Sequence, residues 1–318
     1  MRRSRILPGA PQAPRDNLVR SFLLTMGLLL SLAFPDSARA QDLVIWEPLI
    51  ARLTADGFDR ARIAPLFARV DYDPSIMARK VDAMVKKTFE PAPKPSHRTL
   101  AQSAYRQFLT PAAINQAVAF IRENRGAFDR AQREFGPPPE LIAAIMLVET
   151  KLGGYLGEQN ALQVLASLAR SSDIALIEPF MKNIAGASDR LTYAQSAAAD
   201  RAEWGYRELR ALLRYATANG QEPTAIPGSI YGAIGMCQFM PSNVLTYGVS
   251  AGANGRVDVF VPADAILSVA NYLRGHGWHP GLTDKETRDV VYAYNHSDLY
   301  VLAVLTVASR IQSRLDAS

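Results

Sequence analysis

Apolar residues recur every three or four positions along most of the chain, which is the spacing of amphipathic α-helices. Thr110 and Pro111 have the residue types of a helix cap and first helical position, and Gly126 is predicted to separate that helix from the next. Further helices are predicted over residues 43–53, 71–90, 127–136, 139–152, 201–218, 262–276, 285–294 and 298–315.

Residues 223–261 interrupt the helical pattern. They contain six glycines and little periodicity, so they are predicted to form mostly loop with room for a short strand. The fold class expected from the whole pattern is mainly α, with at most a small β element.

The first 40 residues have the pattern of a secretory signal peptide. An apolar run over residues 21–34 follows Arg20, and Ala38-Arg39-Ala40 has the small residues of a cleavage site. The alternative is an uncleaved membrane anchor, although the run is short for a bilayer span. No cysteine follows closely that could carry a lipid. Export to the periplasm is therefore predicted.

The mature chain is predicted to have two parts. Three prolines within residues 90–96 indicate a linker. An N-terminal helical segment over residues 41–95 would precede a larger domain over residues 96–318.

Charge and cysteine content exclude several functions. The formal net charge is +5, but residues 1–40 alone contribute six Arg against two Asp, so the predicted folded part has no strongly basic character that nucleic acid would need. A single cysteine, Cys237, excludes an intrachain disulfide and a multi-cysteine zinc site. The four histidines lack metal-helix spacing, and no cofactor or metal is predicted.

Glu149 is the strongest candidate for acid–base chemistry. On a helix it lies beside the apolar residues Ile142, Ile145 and Met146. Burial in such a setting disfavours the charged carboxylate and raises its pKa, as a general acid near neutral pH requires. The alternative is a structural glutamate satisfied by backbone donors or by an arginine.

The glycine-rich stretch Gly228–Ser242 is a second candidate site. Ser229 and Gln238 supply polar groups, while Tyr231 and Phe239 supply rings on which a sugar could lie. The alternative is an ordinary surface loop. Cys237 is expected to be a small buried hydrophobe rather than a nucleophile, because no histidine lies within the loop.

No acidic residue lies between Glu222 and Asp258. Most glycosidases use two carboxylates. If this loop faces Glu149, it brings no second carboxylate, and a mechanism with one carboxylate is favoured.

Four stretches together resemble the membrane-bound lytic transglycosylase B family of peptidoglycan lytic transglycosylases. They are Pro138–Gly153, with the Val-Glu-Thr step around Glu149, Gly228–Ser242, Val261–Trp278 and Tyr294–Val304. The resemblance implies a lysozyme-like core. It also implies cleavage of the β-1,4 bond between N-acetylmuramic acid and N-acetylglucosamine in peptidoglycan glycan strands, with 1,6-anhydro ends as product.

The same resemblance assigns roles to single residues. Glu149 would be the catalytic acid and then base, and Ser229 would hydrogen-bond near it and the reacting sugar. Gln238 would hold a sugar hydroxyl or acetamido group. Tyr272, Tyr294 and Asn295 would line the cleft; alternatively, Tyr272 is a core residue, and Tyr294 and Asn295 merely end a helix.

The sequence departs from the family pattern in two places. Family members often carry a calcium loop, but here Ser250 and Gly252 replace the first two acidic ligands, Asn254 is neutral and Arg256 adds a positive charge. No calcium is therefore predicted, although Asp258 and Asp264 remain. The stretch Ile174–Arg201 is longer and different, which leaves the peptide-stem preference open.

Two other functions remain possible at this point. One is a glycan-binding or scaffold protein without turnover. The other is a two-carboxylate muramidase whose second acid is Glu158 or Asp258. Partner proteins are not indicated by the sequence.

Overall fold

The computed structural model describes residues 37–90, 100, 103–184 and 188–317, and for residues 37–43 the backbone alone. The predicted signal peptide and the proline-rich linker thus lie almost wholly outside the described residues. The helices are α1 Ser37–Ala55, α2 Arg60–Phe67, α3 Pro74–Phe89, α4 Pro111–Glu123, α5 Arg125–Phe135, α6 Pro139–Thr150, α7 Ala161–Arg170, α8 Ser188–Asn219, α9 Pro241–Tyr247, α10 Pro262–Gly275, α11 Asp284–Tyr294 and α12 Asp298–Asp316.

A mainly α fold is confirmed. The sheet consists of β1 Gln159–Asn160 and β2 Pro227–Gly228, which pair antiparallel. Short 3₁₀ turns complete the described part of the chain, at Ala104–Leu109, Ile174–Leu176, Glu178–Phe180 and Pro223–Ala225.

Several helix boundaries differ from the predicted ones. The break between α4 and α5 falls at Asn124, and Gly126 lies inside α5. Helix α8 begins at Ser188 rather than at residue 201, and the predicted helices omitted α2, α7 and α9. The three missed helices have eight, ten and seven residues, which is short for detection from periodicity.

Local capping explains where the helices begin. Thr110 accepts a hydrogen bond from the Ala113 N–H, with Pro111 at the first helical position. Thr283 and Glu286 form a reciprocal capping box at the start of α11. At the other end of α5, Gly136 adopts a left-handed φ of 98° that stops the helix.

Helix α6 is the centre of the core. All residues from Leu141 to Leu147 are buried, because α4, α5, α10 and α12 pack around the helix. A helix apolar on every side can only be stable in such a position. The surrounding hydrophobic cluster is continuous from Trp46 in α1 to Ile311 in α12, so the N-terminal helices share it.

The small sheet brings the glycine-rich stretch beside the segment that follows α6. Gln159 pairs with Gly228, and Gly157 lies so close that a Cβ there would be 2.1 Å from the Gly228 carbonyl oxygen. Only glycine permits that approach. Among the described helices, none is both long and apolar enough to cross a membrane.

Candidate active site

Glu149 occupies the last turn of α6, with its side chain half-buried. The chain then takes left-handed conformations at Lys151, Leu152 and Gly153, with φ of 52°, 60° and 91°. Such a run is rare for residues other than glycine and turns the chain sharply away from the helix. The turn leaves the Glu149 carboxylate at the helix end rather than along its packed flank.

The carboxylate of Glu149 has one hydrogen-bond partner among the described residues. The Tyr300 hydroxyl donates to Oε1 at 2.7 Å. Burial raises the pKa of Glu149 to about 7, and the Tyr300 hydrogen bond opposes part of that rise. Near neutral pH the group is therefore divided between acid and base forms, as proton transfer in both directions requires.

Thr150 fixes the glycine-rich stretch against the end of α6. Its hydroxyl donates to the Met236 carbonyl oxygen at 2.8 Å and accepts from the Gly153 N–H at 3.0 Å. Both bonds are inaccessible to competing water because Thr150 is buried. The glycine-rich stretch therefore meets the end of the helix that carries Glu149.

Tyrosines surround the carboxylate. Tyr294 donates its hydroxyl to the Cys237 carbonyl oxygen at 2.6 Å, and its ring lies parallel to that of Tyr300 with centroids 6.4 Å apart. The Tyr105 ring packs edge-on against Tyr300. Burial, followed by the charge of Glu149, raises the pKa values of Tyr105 and Tyr300. These hydroxyls therefore stay protonated at neutral pH and are able to donate a hydrogen bond.

Sequence reasoning missed Tyr300 and Tyr105. Tyr300 lies inside the fourth matching stretch, in the first turn of α12, where Ser297 caps the helix. Its position opposite Glu149 follows from the packing of α12 on α6, which no local pattern encodes. Tyr105 lies in a 3₁₀ turn with no distinctive sequence signal.

The side chains of Ser229 and Gln238 form hydrogen bonds to the backbone of the glycine-rich loop. The Ser229 Oγ accepts from the backbone N–H groups of Tyr231 and Ala233, at 3.3 and 3.1 Å. Gln238 has a left-handed φ of 48°, and its side-chain nitrogen donates to the Gly235 carbonyl oxygen at 3.0 Å. Neither side chain is hydrogen-bonded to Glu149. The Ser229 hydroxyl proton and the Gln238 side-chain oxygen form no hydrogen bond to a described residue.

Tyr272 and Asn295 occupy contrasting environments. Tyr272 is buried, donates its hydroxyl to the Ala293 carbonyl oxygen at 2.8 Å, and stacks on His276. Burial raises its pKa to about 12. Asn295 is exposed at the end of α11, next to Tyr294. Tyr272 thus supports the ring of Tyr294 from within, while Asn295 is accessible; their predicted cleft roles stay predictions.

Cys237 is fully buried, which confirms the expectation of a small buried hydrophobe. Burial raises the pKa of its thiol to about 12. A thiol of that pKa is not ionised at neutral pH and is a poor nucleophile.

The two candidate second acids lie in other settings. Glu158 is exposed, and the Asp258 Oδ1 accepts the Phe260 backbone N–H at 2.9 Å. Neither contributes to the pKa of Glu149, which burial raises and the Tyr300 hydrogen bond partly lowers.

The loop over residues 250–258 is held by Asp264. One carboxylate oxygen accepts the Ala251 N–H at 2.8 Å, and the other accepts the Asp258 N–H at 2.7 Å. The guanidinium of Arg130 lies 3.4 Å from the carbonyl oxygens of both Ser250 and Ala251. Within the described ranges, no three His, Cys, Asp or Glu side chains are grouped to hold a metal ion.

Comparison with known proteins places this geometry in a family. A model of the Transglycosylase SLT domain matches residues 44–288. Membrane-bound lytic murein transglycosylase B of Escherichia coli (strain K12) is 31% identical over 231 residues, which are 71% of this chain and 55% of that protein. The chain thus matches about half the length of this relative.

Solved structures share the fold at lower identity. The Escherichia coli lytic transglycosylase SLT35 in complex with bulgecin A superposes with a TM-score of 0.63 at 23% identity, covering 87% of this chain and 93% of that one. SltB3 from Pseudomonas aeruginosa in complex with NAG-NAM-pentapeptide gives a TM-score of 0.63 at 19% identity, covering 86% and 80%. The lysozyme-like lytic transglycosylase fold is therefore confirmed.

Proposed function

The chain belongs to the Transglycosylase SLT domain family, and we propose that it is an exported peptidoglycan lytic transglycosylase. It would cleave the β-1,4 bond between N-acetylmuramic acid and N-acetylglucosamine and leave 1,6-anhydro ends. The relative and the structural neighbours carry lytic transglycosylase names, and SltB3 binds a glycan with a pentapeptide. The apolar run behind Arg20 supports export.

The observation that carries the proposal is the setting of Glu149. It is a half-buried carboxylate with one donor, Tyr300, and burial raises its pKa to about 7. Most two-carboxylate glycosidases keep one group ionised beside a second that is protonated. Here no other described carboxylate contributes to the raised pKa of Glu149. This favours a mechanism in which Glu149 acts first as the acid and then as the base.

The proposed reaction balances without water. Glu149 in its acid form gives its proton to the glycosidic oxygen while the bond from that oxygen to muramyl C1 breaks. The resulting carboxylate then takes the proton of the muramyl 6-hydroxyl as O6 bonds to C1. Glu149 ends protonated, as it began, and no co-reactant or cofactor is consumed.

Other residues would position the sugar. The Ser229 hydroxyl proton and the Gln238 side-chain oxygen form no hydrogen bond to a described residue, so both can meet sugar groups. Tyr294 and Asn295 would line the cleft beside Glu149, and Tyr272 would buttress Tyr294. Neutral buried tyrosines around the acid also exclude water, which favours intramolecular attack over hydrolysis.

The mass of the products tests the proposal. Purified glycan strands digested with the protein should release muropeptides lighter by one water than hydrolytic products. Reducing ends would instead show a muramidase, and stable binding without fragments would show a binding or scaffold protein. A digest that keeps its anhydro products in the Glu149→Gln variant would remove this residue from the mechanism.

A further inference from the structure

A cationic and aromatic cluster lies beside the glycine-rich loop. The Lys80 ammonium from α3 lies 3.9 Å from the ring centroid of Tyr231 and 4.9 Å from that of Trp204. Trp204 is on α8, where Arg201 lies one turn earlier. The cluster therefore joins the N-terminal helices, the long helix α8 and the loop that carries Ser229.

Neither cation of the cluster is paired with a carboxylate of the described chain. The Arg201 charge and burial act together to lower the pKa of Lys80, to about 8, with burial the larger cause. The Nε of Arg201 is buried without a hydrogen-bond partner. Two adjacent cations partly removed from water, with donors unused, are costly to the folded protein unless an anion binds them.

The cluster opens toward the predicted sugar-binding loop. The Tyr231 side chain is 43% exposed, and its backbone N–H donates to the Ser229 Oγ. A group bound at Lys80 would therefore lie along the same loop as the sugar held by Ser229. Arg201 also ends the stretch over residues 174–201 that is predicted to depart from the family pattern.

We propose that Lys80 and Arg201, walled by Trp204 and Tyr231, form a subsite for a carboxylate of the peptide stem on the glycan strand. This inference rests on the proposed function. The sugars themselves are neutral where a stem is attached, so the stem supplies the negative charge. The faces of the two rings stabilise the Lys80 ammonium while the subsite is empty.

Three substrates test the subsite. They are glycan strands with free stem carboxylates, the same strands with these carboxylates converted to carboxamides, and strands stripped of their peptides, whose lactyl carboxylates are free. We expect the wild-type protein to cleave the first about tenfold faster in kcat/KM than the second, from the loss of charge-assisted hydrogen bonds.

Replacement of the cation should abolish that preference. Lys80→Met should lower kcat/KM about tenfold on free-carboxylate strands and leave amidated strands unchanged. Lys80→Arg should restore most of the loss, and Arg201→Met should reproduce it if Lys80→Met fails to fold. Lys86→Met is the matched control, because Lys86 is exposed on the same helix.

Three results would overturn the subsite. Equal wild-type rates on free and amidated strands would show that stem charge is not bound. Equal losses on both substrates in Lys80→Met would show a structural role. A lower kcat/KM of Lys80→Met on strands stripped of their peptides would assign the subsite to the lactyl carboxylate instead of the stem. Failure of the proposed function is separate: the wild-type protein would then release no anhydro products from any substrate.

Discussion

The carboxylates of Asp264 and Glu149 are both at least partly buried, and they differ in the number of hydrogen-bond donors that contact them. Asp264 accepts a backbone N–H on each oxygen, at 2.8 and 2.7 Å, and ties the loop over residues 250–258 together. Glu149 accepts one hydrogen bond, from the Tyr300 hydroxyl, and burial raises its pKa. Satisfied lone pairs stabilise the ionised form, whereas burial without them favours the protonated form.

Glu208 repeats the structural pattern of Asp264. It is buried, and its two oxygens accept the backbone N–H and the hydroxyl of Ser242 at the start of α9. Buried acids held by two donors thus organise the backbone here, while the acid with one donor is left able to exchange a proton. The number of donors, rather than burial alone, separates the two uses.

The largest expected effect is on turnover. Glu149→Gln keeps the size of the side chain but cannot donate and recover a proton, so activity on purified sacculi should fall by roughly 10²–10⁴ or more. Asp264→Asn should keep most of its activity, since Asp264 serves the loop. Release of anhydro-muropeptides measures both. A folded Glu149→Gln variant with near wild-type turnover would show that Glu149 is not the acid of the reaction.

The second effect is on stability as a function of pH. The pKa of Glu149 rises from an ordinary 4.5 to about 7 on folding, so the folded state holds more protons than the unfolded state between these values. The free energy of unfolding of the wild type therefore falls as pH rises through that window. Glu149→Gln lacks this term.

From pH 4 to pH 8, the free energy of unfolding of Glu149→Gln should rise by about 3 kcal/mol relative to that of the wild type. Urea denaturation at both pH values measures the gain. A difference between the two proteins that does not change with pH would mean that Glu149 titrates normally in the folded state.

The third effect concerns the structural carboxylate. Asp264→Asn leaves one backbone N–H of the loop facing an amide NH₂ group instead of an oxygen. The unsatisfied donor should cost about 1–3 kcal/mol in free energy of unfolding. Asp200→Asn, an exposed change on α8, should cost less than about 0.5 kcal/mol. Equal stability of the two variants would refute the holding role of Asp264.

A smaller effect should follow from Tyr300→Phe. The lost hydrogen bond stabilised the ionised form of Glu149, so the pKa of Glu149 should rise further. The alkaline limb of the kcat/KM profile should move up by about one pH unit. Tyr292→Phe, on the exposed face of α11, is the control. A profile unchanged in position would show that Tyr300 only packs against Tyr294.

The smallest effect is expected from calcium. The Asp264 oxygens already accept two N–H groups, and Arg130 lies near the carbonyl oxygens of Ser250 and Ala251. The melting temperature should be the same in EDTA and in millimolar calcium. Stabilisation that grows with free calcium would indicate specific binding to the folded form and would show that the remaining oxygens suffice.

The sequence by itself determined the class of the fold and singled out Glu149 as the candidate acid. Apolar spacing predicted most helices, because a helix in water must bury one face, and the isolated Glu149 among apolar neighbours indicated its raised pKa. Short segments escaped prediction: the helices α2, α7 and α9 and the first half of α8 were not predicted.

Only the tertiary structure decided which side chains contact Glu149 and Lys80. Tyr300 comes to Glu149 through the packing of α12 on α6, 151 residues apart in sequence. Lys80 meets Tyr231 because α3 packs on α8 beside the glycine loop. Helical periodicity fixes which face is buried but not which helix covers it, since many packings bury the same apolar stripe. The partners of a carboxylate or an ammonium, and hence its chemistry, are settled by that choice.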